Sequence, residues 1–136
     1  MNPKIKPFLK WAGGKSQLID EIEKNLPYDI DICTTYIEPF VGAGALFLHF
    51  IENRMFDRYI INDINSKLIN LYKVIRDAPA ELIDGINSLK IKYIEADEFH
   101  REKQFYTIRE AFNGECDEVT QAVYMVFLNK TCFNGL

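Results

Sequence analysis

The sequence predicts an α/β domain, and three observations carry that expectation. "YIEPFVGAGALFLHF", residues 36–50, runs from a β-rich stretch through two closely spaced glycines into an apolar segment. A second β-rich run, "RYIIND" at 58–63, follows it, so that strand, helix and strand succeed one another as a βαβ unit. Beyond Asp63, apolar residues recur at helical spacing for most of the remaining length. With 136 residues, 48% hydrophobic and 26% charged, the chain has the composition of one soluble, core-forming domain.

Taken in order, the first element is a helix in "SQLIDEIEKNL", where Leu18, Ile19, Ile22 and Leu26 share a face, Ser16 is placed to cap and Pro27 to stop it. "PYDIDICTT", 27–35, reads as a linker. "TYIEPF" and "RYIIND" read as short buried parallel strands, joined by a helix from about Ala45 to Asn53. Ser66 and Pro79 stand where helix starts prefer them. Leu68, Ile69, Tyr72 and Ile75 form one apolar face, and Leu82, Ile83, Ile86 and Leu89 the next. "EFHREKQFYTIREAF" turns Phe105, Ile108 and Phe112 inward, and "EVTQAVYMVFL" turns Val119, Val123, Val126 and Phe127 inward. Two strands and about five helices leave sheet edges open, so the sequence is expected to be part of something larger, with self-association through the unpaired edges a consequence.

Several classes drop out. No apolar run approaches a bilayer span and no secretory h-region is present, which predicts a cytoplasmic protein without membrane contact. Cys33, Cys116 and Cys132 are odd in number and widely spaced, suggesting neither a disulfide framework nor a metal site. The net charge of −4 argues against general nucleic-acid coating, yet its distribution is uneven. Lys4, Lys6, Lys10 and Lys15 make the first 19 residues +4, leaving −8 for the rest. These lysines surround "FLKWAGG", too apolar and glycine-rich for a solubilising tail.

The glycine turn invites a ligand, and spacing separates the candidates. A dinucleotide fingerprint requires a third glycine where this chain has Phe47. "GGKS" at 13–16 supplies the end of a P-loop, but Leu9 occupies the place of its first glycine. An adenosyl ligand without phosphates needs only small residues at the close approach and an acid on the next strand for the ribose. Gly42 and Gly44 meet the first need, and Asp63 the second. Singly, the glycines read as turn residues and Asp63 as a helix cap; their conjunction favours the ligand.

"FLKWAGGK" (8–15), "EPFVGAGALF" (38–47), "INDIN" (61–65) and "FLNKTCFNGL" (127–136) occur in the order and at the spacing of the Dam-like, or D12-class, DNA adenine-N6 methyltransferases, and the resemblance covers essentially the whole chain. It implies a partial Rossmann-like S-adenosylmethionine-dependent methyltransferase sheet over residues 1–96, and the start of an inserted helical DNA-recognition subdomain over 97–136. It also implies S-adenosyl-L-methionine as cofactor and double-stranded DNA as partner, with the target adenine flipped out of the helix. By the same resemblance Trp11 and Lys15 line the cofactor pocket, Lys15 meeting the methionine carboxylate. Glu38, Phe40, Gly42 and Gly44 form the turn beside the methionine part, Asp63 holds the ribose and Ile64 touches adenine. Phe133 matches an aromatic that inserts into the base stack, Asn134 and Leu136 match its neighbours, and Lys10 matches a lysine at the target base. Lys130 stands where relatives often carry arginine, an exchange that keeps charge and loses bidentate geometry. GATC is the family's frequent target.

The class carries a catalytic Asp-Pro-Pro-Tyr motif. Pro3, Pro7, Pro27, Pro39 and Pro79 include no adjacent pair, so the motif is absent and no catalytic residue is assigned. The chain therefore resembles the amino-terminal half of a methyltransferase, and the 136 residues alone are expected to be inactive. A non-catalytic adenosyl- or DNA-binding module and a dinucleotide-dependent oxidoreductase fragment are the alternatives.

Overall fold

The computed structural model describes residues 5–132, and the chain divides into two compact units, Met1–Ile64 and Asn65–Leu136. Phe133, Asn134 and Leu136, expected at the DNA, lie outside the described residues.

The first unit is a mixed helix and strand unit built on a two-stranded parallel sheet. Lys15–Leu18 form a 3-10 turn that continues into α1 (Ile19–Lys24), and a second 3-10 turn, Ile30–Ile32, interrupts the linker. Neither helical segment has a side-chain cap, so Ser16 does not play the capping role its position suggests. Leu18 is exposed while Ile19, Ile22 and Leu26 are half-buried. β1 (Thr35–Glu38) stops before Pro39, which has no N–H to donate to a ladder. α2 (Ala45–Glu52) crosses over to β2 (Arg58–Ile61), which pairs in parallel with Tyr36 opposite Tyr59 and Ile37 opposite Ile60.

Side chains alternate across a strand, so Tyr36, Glu38 and Tyr59 share one face. On it Tyr36 meets Phe50 edge-on at 5.1 Å and stacks with Phe56 at 5.4 Å, while Tyr59 lies 6.0 Å from both Tyr36 and Phe56. The Tyr59 hydroxyl donates to the Phe50 carbonyl (2.9 Å) and accepts from the Phe56 amide (3.1 Å), closing the loop after α2. The opposite face differs from the buried strands expected: Ile37 is 61% exposed and Ile60 also lies open. With one crossover helix between two strands, only the inner face receives packing from within the unit.

The second unit is helical. α3 (Ser66–Asp77) is capped by Asn65, whose side-chain oxygen accepts from the Leu68 amide at 3.1 Å; Ser66 is the first helical residue, not the cap. α4 (Pro79–Glu95) opens with Pro79 at its first position. α5 (Glu98–Asn113) and α6 (Glu118–Thr131) are capped by Asp97 and Asp117, each accepting an amide at 2.9 Å, from His100 and Thr120 respectively.

Helix α6 packs against α3, α4 and α5, and this explains where the expected faces shift. Val123 and Phe127 are buried as the spacing predicts, but so are Ala122, Met125 and Leu128. A helix surrounded by three others buries most of its circumference, and a one-stripe reading misses that. On α3 the deepest residues are Leu68, Leu71 and Val74, so the buried stripe is rotated from the one centred on Ile69 and Tyr72. On α4 Leu82 is buried and Ile83 exposed. There Gly85 permits close approach: a Cβ in its place would stand 2.6 Å from Val123 Cγ2.

Candidate functional site

In the first unit a cavity of about 350 Å³ lies between the segment 7–16 and the turn that follows β1, within the range of small-molecule sites. Its lining includes Leu9, Trp11, Lys15, Phe40, Val41, Gly42 and Asp63.

Local chemistry fixes this arrangement. After Pro39 the chain must reverse, and Gly42 (φ 52°) and Gly44 (φ 75°) adopt the left-handed conformation that glycine enters without penalty. Gly44 is the N-cap of α2, its amide donating to the Val41 carbonyl at 2.9 Å and its carbonyl accepting from Leu48 at 2.8 Å. It shapes the turn and does not line the cavity. Gly42 does line it, and a side chain there would meet Trp11: an added Cβ would sit 3.2 Å from Cδ1 and 3.4 Å from Nε1 of the indole. The indole can lie against the turn because position 42 carries no Cβ.

The acid expected on the second strand arrives at this turn. Beyond β2 the pairing continues through the Asn62 amide to the Glu38 carbonyl (2.8 Å) and the Val41 amide to the Asn62 carbonyl (2.9 Å). Asp63 is thereby brought against the turn, where its Oδ2 accepts from the Gly42 amide at 2.9 Å. A carboxylate accepting a backbone amide is a charge-assisted bond, which holds the acid at the cavity wall.

Lys15 links the two walls. Its Nζ donates to Glu38 Oε1 at 3.2 Å and to the Phe40 carbonyl at 2.7 Å. Glu38 is only 6% exposed, and a carboxylate buried to that degree is tolerated because it is paired. Its other oxygen, Oε2, accepts from the Tyr36 hydroxyl at 2.8 Å. Burial and the adjoining Glu38 carboxylate push the Tyr36 phenol far above its ordinary range, so it remains a hydrogen-bond donor.

Of the eight residues expected at the cofactor, the cavity thus gathers Trp11, Lys15, Phe40, Gly42 and Asp63. Glu38 and Gly44 stand behind the wall as supports. Ile64 is 96% exposed and is not among the lining residues. Lys10 is exposed and is not among the lining residues; Lys130, in the second unit, is exposed on α6. Sequence reasoning missed Leu9, Val41 and Tyr36. Tyr36 had a readable signal, since residues two apart on a strand share a face with Glu38 between sheet and turn. Gly13 also lines the cavity with φ 71°, which its place in a Gly-Gly pair suggests.

Among the described residues, no group of three or more His, Cys, Asp or Glu side chains is placed to hold a metal ion. No helix among them is long and apolar enough to cross a membrane.

Residues 11–136 match the family model of the D12 class N6 adenine-specific DNA methyltransferases. The chain is 43% identical over 137 residues to the type II methyltransferase M.MjaIII of Methanocaldococcus jannaschii, covering 97% of this chain and 47% of that protein. It is 43% identical to the DNA adenine methylase of Serratia marcescens (98% of this chain, 44% of that one). It is 39% identical to the DNA adenine methylase of Escherichia coli K12 (98% and 43%). The chain spans a little under half the length of these curated relatives.

Proposed function

We propose that this chain, which belongs to the D12 class of N6 adenine-specific DNA methyltransferases, supplies the S-adenosylmethionine cavity and the first DNA-recognition helices of an enzyme that methylates adenine N6 in duplex DNA. The observation that carries the reading is the convergence at Gly42, where the Trp11 indole and the Asp63 carboxylate meet one glycine that also lines a cavity.

The donors and acceptors present suit an adenosyl ligand better than a phosphate chain. The acid at the wall would repel phosphate and accept from ribose hydroxyls, and Trp11 gives an aromatic surface for an apolar or cationic part. The Lys15 ammonium has three N–H donors and uses two on Glu38 and Phe40, so the third suits a ligand carboxylate. Phe40, 73% exposed beside the turn, adds apolar surface. Ile64 follows Asp63 in the chain and is proposed to contact adenine. When bound, S-adenosylmethionine supplies a methyl group on a cationic sulfur; the residues named here bind and orient it.

DNA contact is proposed for Lys10, Lys130, Phe133, Asn134 and Leu136, with a Rossmann-like cofactor domain over 1–96 and the recognition subdomain from 97. The cytoplasm, where the DNA substrate lies, is the proposed location. The 136 residues contain no Asp-Pro-Pro-Tyr, so cofactor binding and methyl transfer are separable expectations: this chain binds the cofactor and does not turn over alone.

Trp11 is the sole tryptophan, so its fluorescence reports the cavity directly. Titration with S-adenosylmethionine is expected to change its emission, with NAD and ATP much less effective. Asp63→Asn can still accept the Gly42 amide but loses the charge, and should weaken binding about tenfold. An unresponsive Trp11, or an equal response to ATP, would sink the reading.

A further inference from the structure

We infer that Tyr36 is a positioning residue for the Lys15 ammonium at the cavity rim, acting through the buried Glu38 carboxylate. The geometry is a relay of three side chains. The Tyr36 hydroxyl donates to Glu38 Oε2 at 2.8 Å, the Lys15 ammonium donates to Glu38 Oε1 at 3.2 Å, and the same ammonium donates to the Phe40 carbonyl at 2.7 Å. Two of these residues are buried or half-buried on one face of β1, while Lys15 arrives from a segment more than 20 residues earlier.

A carboxylate can rotate about its terminal torsion with little resistance, because that torsion is broad. Holding Oε2 with the Tyr36 hydroxyl fixes the plane of the group, and Oε1 is then aimed at Lys15. The ring of Tyr36 is itself fixed by Phe50, Phe56 and Tyr59, so the hydroxyl has a rigid base. Burial and the neighbouring carboxylate keep that hydroxyl protonated, so it serves as donor throughout the neutral range. Lysine alone is a flexible four-carbon stem bearing a point charge, and defined placement of its charge has to come from its partners. Without the hydroxyl, a nearly buried oxygen loses its partner and Glu38 turns to recover solvation. Lys15 then keeps the Phe40 carbonyl but loses the second acceptor, and with it the two-point hold that fixes its charge.

The inference rests on the cofactor reading only in its last step, where Lys15 meets the ligand carboxylate. Tyr36→Phe leaves the aromatic cluster in place and removes one hydroxyl, while Glu38→Gln breaks the same relay at its centre by removing the charge. Each is compared with wild type by reductive methylation, the modification of Lys15 being measured by mass spectrometry relative to the exposed Lys90. Affinities for S-adenosylmethionine and for adenosine, which lacks the carboxylate, are measured on the same proteins. Lys15 should react several-fold faster in both variants with circular dichroism unchanged. Affinity for S-adenosylmethionine should fall about tenfold while that for adenosine stays put. Faster Lys15 labelling in the variants, together with a wild type that binds neither ligand, would uphold the relay and sink the cofactor reading. Unchanged Lys15 reactivity in both folded variants would overturn the inference, as would equal losses of affinity for the two ligands.

Discussion

The two units solve the problem of staying folded differently. The helical unit buries Leu68, Leu71, Met125 and Leu128 almost completely around α6, and closes three of its helix starts with Asn65, Asp97 and Asp117. The unit with the sheet has a smaller apolar interior centred on Phe50 and Val41, leaves Ile37 exposed, and ties its cavity with polar bonds among Lys15, Glu38, Tyr36, Asp63 and Gly42. Apolar packing is non-directional and tolerant of composition, whereas a hydrogen-bonded wall fixes individual atoms. The difference teaches that substitutions in the helical unit should act mainly on stability, and those around the turn mainly on ligand response.

The largest effect should come from Leu128→Ala, which empties a fully buried site and should cost about 2–5 kcal/mol in chemical denaturation followed by circular dichroism. A cost below that of any cavity substitution would break the contrast. Gly42→Ala comes next. Its left-handed backbone would cost about 1–2 kcal/mol, and the new methyl would press the Trp11 indole aside by a few tenths of an ångström. Its signature should be an altered Trp11 emission and lost S-adenosylmethionine response with most of the helical signal retained.

Gly85→Ala tests the same idea from the other side. Helix propensity favours alanine by about 1 kcal/mol, but collision with the stiff Val123 should cost about 1–3 kcal/mol, for a small net loss. Adding Val123→Ala should make the Gly85→Ala change favourable in that background; if it does not, the contact is not the cause. The smallest effect concerns the caps and pH. The Asp97 carboxyl is held below its ordinary range chiefly by the His100 amide, and the Asp117 carboxyl chiefly by Thr120. A depressed folded-state pKa stabilises above the ordinary carboxylate value and is lost as pH falls through the lowered one. The helical unit should therefore loosen on acidification below about pH 4, and Asp97→Asn, which can still cap, should flatten part of that dependence.

The sequence by itself determined the parts whose causes are local. Pro39 ends β1 one residue earlier, Pro79 opens α4, and the glycines at 42 and 44 mark a turn that only residues without a side chain enter easily. The same locality placed Asp63 just beyond the second strand. Ser66 stands at the start of α3 as its position predicts, but the cap falls to Asn65 beside it, an equally good acceptor, and only the backbone geometry chooses between them. What tertiary structure alone decided is which of these residues touch. Burial around most of α6 depends on three neighbouring helices, and the pairing of Lys15 with Glu38 joins residues 23 apart. The seat of Trp11 on Gly42 likewise depends on how distant segments meet. Spacing along a chain encodes the direction of a side chain from its own element, but contact between elements depends on the summed packing of the surfaces they present, which no short stretch contains.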